Sequence, residues 1–143
     1  MDIFTSMQIS SSALSAQRTR LNVISSNLAN VGTTRTLEGG PYRKQDVVFR
    51  SVPGGFDKHL DQAMRGAVSG VEVAEIRANP SPFRSVYEPG HPDADENGMV
   101  SLPNIDTMSE MVDMMSATRS YEANTSAIQA AKRMAMKALE IGR

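Results

Sequence analysis

Between Ile3 and Val31 the chain carries no proline or glycine, and Met7, Leu14, Leu21 and Leu28 recur every seventh residue. Ile3, Ile24 and Val31 form a second row three or four positions off the first, interrupted by Ser10 and Gln17. Rows of this kind predict an apolar seam on one long helix. Gly32 stands where a helix-ending glycine is expected. The pattern returns near the other end. Thr107-Met108-Ser109-Glu110 fits a capping box, with Thr107 and Glu110 each satisfying a free backbone donor. No glycine or proline then occurs until Gly142. Met114, Tyr121, Ile128 and Ala135 form one sevenfold row, and Ala117, Asn124, Ala131 and Ala138 form its companion. Asp106, Glu110 and Asp113 lie near the start of this helix and Lys132, Arg133 and Lys137 near its end, an order that complements the helix dipole.

The segment between the helices reads differently. It holds all seven prolines and most of the ten glycines. Short β-rich runs, Tyr42–Arg50, Val68–Arg77, Phe83–Tyr87 and Met99–Leu102, lie between its turns. Gly39-Gly40-Pro41 and Pro53-Gly54-Gly55 punctuate them. Phe56, Leu60 and Met64 share helical spacing, which predicts a short helix there. Most of the aromatic residues fall in this segment, which places the compact core within it. The predicted fold is therefore α+β: long N- and C-terminal helices (residues 1–32 and 104–143) packed as an antiparallel coiled-coil-like pair, with a small β-rich middle domain (residues 33–103).

Length limits what the middle can do. At 1.5 Å per residue the helices run to roughly 43 and 53 Å. A globule of about 70 residues has a radius of gyration of only about 11 Å. It cannot cover both helices, so their apolar faces must meet each other, other chains, or both. Methionine is concentrated on the second helix, at Met108, Met111, Met114, Met115, Met134 and Met136. Flexible thioethers suit irregular partners. Met108–Met115 is wider than one seam, which suggests contacts on two sides. The candidate assembly surface is Met7, Leu14, Leu21, Ile24 and Leu28 on the first helix with Met108, Met111, Met114, Met115, Tyr121, Ile128 and Leu139 on the second.

Composition removes most other functions. The formal net charge of -1 over 143 residues gives no reason to expect nucleic acid or an anionic membrane as partner. No apolar run approaches the roughly 20 residues that span a bilayer. The chain has no cysteine, which excludes disulfides, thiolate metal sites and a cysteine nucleophile. Met1-Asp2-Ile3-Phe4-Thr5-Ser6 lacks a basic region followed by an apolar run, so no cleaved signal peptide is expected. Asp93–Gly98 resembles the opening of an EF-hand loop, but Asn104 stands where the bidentate glutamate belongs. A polar turn is the expected reading. His59 and His91 have no second ligand at zinc-site spacing. No nucleophile elbow, Walker A or dinucleotide-binding glycine motif occurs. No enzyme, cofactor or metal is expected.

Four stretches resemble the flagellar axial proteins, and among them the proximal-rod branch. Ser11–Asn30, with its Leu21-Asn22-Val23-Ile24-Ser25-Ser26-Asn27-Leu28-Ala29-Asn30 run, is similar to the N-terminal signature shared by rod and hook proteins. Met111–Asn124, with Ser116-Ala117-Thr118-Arg119-Ser120-Tyr121-Glu122-Ala123-Asn124, is similar to the C-terminal signature. Thr33–Tyr42 and Tyr87–Gly98 resemble the proximal-rod branch in particular, with Met99 where that branch has tyrosine. Val52–Arg65 carries little of the resemblance. The resemblance implies a structural subunit of the basal-body rod in the periplasm, exported through the flagellar type III apparatus without a cleaved signal peptide. It implies as partners the chain itself, other rod proteins, and the membrane-ring protein and export-side adaptor at the rod base. The second reading of the same seams is a soluble coiled-coil adaptor or secretion chaperone that closes as a small oligomer.

Overall fold

The computed structural model describes residues 3–52 and 69–141. Two long helices, α1 (Ile3–Ala29) and α2 (Thr107–Ile141), flank four strands: β1 (Gln45–Val52), β2 (Gly70–Ala78), β3 (Arg84–Tyr87) and β4 (Met99–Leu102). β1 and β2 form one antiparallel pair, running from Gln45↔Ala78 to Val52↔Gly70 with a register shift between Val48 and Phe49. β3 and β4 form a second, from Arg84↔Leu102 to Tyr87↔Met99. This is the α+β arrangement the sequence predicts. The short helix expected at Phe56, Leu60 and Met64 lies outside the described residues.

Both helix boundaries differ from the sequence reading. α1 stops at Ala29, and the Asn30 side chain closes it by donating to Ser26 O at 2.9 Å. Gly32 does not take the left-handed cap conformation; among the described residues only Gly39, Gly40 and Gly98 have positive φ. At the start of α2 the cap is Asp106, whose Oδ1 accepts the Met108 N–H at 3.2 Å. Thr107 is already helical, and Glu110 turns inward, away from any capping role.

The helices run antiparallel. Asn27 meets Glu110, and Arg20 meets Asp113 further along. α1 also packs on the β1–β2 pair. There Ser12 Oγ accepts the Val71 N–H at 3.1 Å and donates to Ile9 O at 2.7 Å. Gly70 fits this close approach, since a Cβ there would stand 3.0 Å from Ser12 Oγ. Packing on two sides moves the most buried line of α1 to Ala16, Val23, Ile24 and Asn27. Met7, Leu14, Leu21 and Leu28 lie roughly a third of a turn away and are half-buried.

Among the described residues most of the core sits on the helix pair, with Val100 its one buried apolar residue from the middle segment. Its buried apolar residues are Ala16, Val23 and Ile24 on α1, Ala117 and Ala131 on α2, and Val100 and Ile105. Tyr42, Phe49 and Phe83 are only half-buried, and Tyr87 is exposed. Two separate two-stranded pairs cannot enclose aromatic side chains between them. The helix pair is therefore the larger shelter, and its alanines let the backbones approach closely.

Candidate assembly surfaces

One buried polar node fixes the helix pair to the first strand. Asn27 and Glu110 are each only 1% exposed. The Asn27 amide uses its full bonding capacity. Its Nδ2 donates to Gln45 O at 2.9 Å and to Glu110 Oε2 at 3.2 Å. Its Oδ1 accepts from Gln45 N–H at 2.9 Å and from the Tyr42 hydroxyl at 3.2 Å. Asn27 thus pairs with the backbone of Gln45 as a neighbouring strand would. Glu110 Oε1 meets the Lys44 ammonium at 2.6 Å. Burial pulls the Lys44 pKa down, but the hydrogen bond and negative charge of Glu110, with Asp46 and Asp113 beyond, outweigh it and leave it raised. The node joins the end of α1, the start of α2 and the entry to β1. A groove of about 260 Å³ beside it is lined by Arg20, Lys44, Asp46, Glu110 and Asp113. Each of these charges has a partner within the chain, with Asp46 accepting from Asn79. Among the described residues no three potential metal ligands cluster.

The start of α2 carries an apolar face directed away from its own chain. Met108 is 70% exposed, Met111 48%, Val112 57% and Met115 54%. Spacing of three, four and seven residues puts them on one line of the helix. That line lies roughly half a turn from Glu110, Ala117 and Ala131, which face inward. It is short. Beyond Met115 the same face continues with Arg119, Glu122, Ser126 and Arg133, all exposed. Other exposed apolar residues lie toward the opposite end of the pair, Phe4 on α1 and Met134, Met136 and Leu139 on different sides of α2. Paired through Asn27 and Glu110, α1 spans about 40 Å and α2 about 52 Å, so the last turns of α2 overshoot. A further apolar point is Leu37, fully exposed at the tip of the loop before β1. Thr36 N–H donates to Gly40 O at 2.9 Å across that tip, with Gly39 and Gly40 both at positive φ.

The sequence-predicted surface residues divide into three groups. Ile24 is buried in the chain's own core. Met7, Leu14, Leu21, Leu28, Met114, Tyr121 and Ile128 are half-buried, the last three on the inward side of α2. Met108, Met111, Met115 and Leu139 are exposed. Val112, Phe4 and Leu37 escape a reading that follows methionines and heptads. Val112 was accessible from spacing alone, since it completes the line through Met108, Met111 and Met115.

Tyr87–Gly98 forms a polar turn, in which Asp95 Oδ1 accepts the N–H groups of Asn97 and Met99, both at 2.9 Å. Asp93 is engaged elsewhere, accepting from Thr34 at 2.8 Å beside Arg35.

Comparison with known proteins places this architecture. Residues 7–35 match the family described as flagella basal body rod protein, and residues 96–141 match the flagellar basal body rod FlgEFG protein C-terminal family. The two matches fall on α1 and α2. The chain is 48% identical to the flagellar basal-body rod protein FlgC of Bacillus subtilis (strain 168), with all of both chains covered. It is 42% identical to that of Borreliella burgdorferi, covering 99% of this chain and 98% of the relative. It is 43% identical to that of Salmonella typhimurium, covering 99% of each. The chain belongs to the FlgC family of flagellar basal-body rod proteins, as a structural subunit of that rod.

Proposed function

We propose that this rod subunit polymerises through its helix faces, by heterologous contacts in which one patch meets a different patch on the next subunit. The observation that carries this reading is the exposed apolar line Met108, Met111, Val112 and Met115 on a helix whose other side already packs within the chain. A closed oligomer would bury one seam and leave the remaining faces wet. Here the inward faces pack within the chain, and exposed apolar residues remain toward both ends of the pair. α1 and α2 serve as the axial helices, and the segment between them sets lateral spacing around them. The role is structural and not catalytic. The subunit lies in the periplasmic part of the rod and reaches it by flagellar export without a cleaved signal peptide. Its neighbours are copies of itself and other rod proteins, with the membrane-ring protein and the export-side adaptor at the base. Among the described residues no helix is long and apolar enough to cross a membrane.

Incorporation tests the reading. Leu21 is half-buried on the apolar row of α1, whereas Arg18 is exposed. Leu21→Asp is expected to exclude the subunit from isolated basal bodies, because an unpaired carboxylate in a packed seam costs several kcal/mol. Arg18→Asp is expected to leave it incorporated. Immunoblots of purified basal bodies, with helix content of each purified subunit by circular dichroism as control, give the answer. Equal incorporation of the two variants contradicts the assignment of faces.

A further inference from the structure

We infer that Asn27 is the positioning residue that fixes the β1–β2 ribbon at one angle on the helix pair, with Ser12 holding the opposite corner. This rests on the spacing role proposed above for the segment between the helices, and it names the residues that set that spacing.

A two-stranded ribbon is marginally stable alone and twists readily, so its orientation is set by what it rests on. Here it rests on α1, and two α1 side chains grip its backbone. Asn27 bonds both the N–H and the carbonyl of Gln45, the first residue of β1. Ser12 accepts the N–H of Val71, near the start of β2. The strands are antiparallel, so Gln45 and Val71 stand on different strands at opposite ends of the ribbon. They are diagonal corners. The spacing of the grips matches on both partners. Ser12 and Asn27 lie about 22 Å apart along α1. Gln45 and Ser51, the residue paired with Val71, lie about 20 Å apart along β1. Two grips at diagonal corners stop the ribbon from swinging across α1, which a single grip would allow.

Asn27 is the stronger of the two. Its planar amide makes two bonds to one residue, which fixes rotation as well as distance. It is buried, whereas Ser12 makes a single bond to the ribbon at a half-buried site. The remaining tie, Lys44 to Glu110, runs through a long flexible stem, so it holds the strand without setting its angle.

Glu75 on β2 and Ser126 on α2 are both exposed, and the chain has no cysteine. Glu75→Cys with Ser126→Cys therefore accepts one spin label on the ribbon and one on the helix pair. In the purified subunit the distance distribution between them should be narrow, and a broad one overturns the proposal. Adding Asn27→Leu is expected to broaden it several-fold. Hydrogen exchange separates a lost angle from a weakened fold. In Asn27→Leu the Gln45 N–H and its β1 neighbours should exchange about tenfold or more faster, as the loss of two hydrogen bonds implies. Amides around Ala117 on α2 should keep their rates. An unchanged distance distribution refutes positioning by Asn27. Equal acceleration at Gln45 and Ala117, or loss of helix content, would make Asn27 a general support of the fold and also refutes it. Ser12→Ala should free the Val71 N–H with a smaller broadening, and a larger one than in Asn27→Leu would overturn the order of the two grips. A loosened ribbon in a subunit that still enters basal bodies would instead refute the spacing role itself.

Discussion

Lys44→Met is expected to destabilise the subunit by about 3–5 kcal/mol, the cost of leaving a buried carboxylate without its counter-charge. Glu110 is the buried partner, with a side chain 2% exposed against 24% for Lys44. Lys44 could turn toward water if it lost Glu110, but Glu110 has no such escape. Glu110→Leu in the same chain should restore most of the loss, because removing both charges also removes the desolvation they required. Asn27 keeps Gln45 O as acceptor in that double variant. Urea unfolding of the two single variants, the double variant and the parent measures the coupling. A Lys44→Met loss below about 1 kcal/mol would place the pair among exposed ion pairs of little weight. The pair also has a pH signature. The Lys44 pKa is raised above its ordinary value of 10.5, so the folded chain holds that proton more tightly than the unfolded chain. The associated stability is fully present below pH 10.5 and is lost as pH rises through the folded value. The parent should therefore weaken more steeply than Lys44→Met in strong alkali, and equally near neutrality.

Met111→Asp with Met115→Asp is expected to lower incorporation into basal bodies by about 100-fold or more while leaving the free subunit folded. Both side chains point to solvent in the isolated chain, so stability should change by no more than about 0.5 kcal/mol per site. In the polymer the same carboxylates would be desolvated without partners, at several kcal/mol. Each 1.4 kcal/mol is a factor of ten in affinity. Ser126→Asp, on the polar continuation of the same face, is the control and should incorporate normally. Equal incorporation of the double variant and the control would remove the apolar line from the assembly surface.

Periodicity recovered the elements because long, uninterrupted runs leave few alternatives. The rows Met114, Tyr121, Ile128 and Ala117, Asn124, Ala131 do mark the inward side of α2. The rotation of α1 was not legible. Met7, Leu14, Leu21 and Leu28 are its largest apolar row, yet Ala16, Val23 and Asn27 are more buried. A second packing surface, the β1–β2 pair, displaces the buried line, and no local pattern announces it. Glu110 shows the same limit. Its spacing from Thr107 satisfies a capping rule, and its tertiary partners Lys44 and Asn27 override that rule. The available signal was register, since Glu110 stands seven residues before Ala117 on an inward row. Asn27 gave no comparable sign, because only the fold brings Gln45 beside it. The aromatic residues misplaced the core for a physical reason. The two strand pairs are too small to enclose Tyr42, Phe49, Phe83 and Tyr87, and the alanine-lined helix pair excludes water better.

The most direct measurement is the environment of Met108, Met111, Val112 and Met115 in a structure of the assembled basal body. The account predicts that these four side chains lie against another chain, while Met114 packs within its own. Four solvated side chains in the assembled rod, with the helix pair contacting only itself, would contradict polymerisation through the outer face of α2.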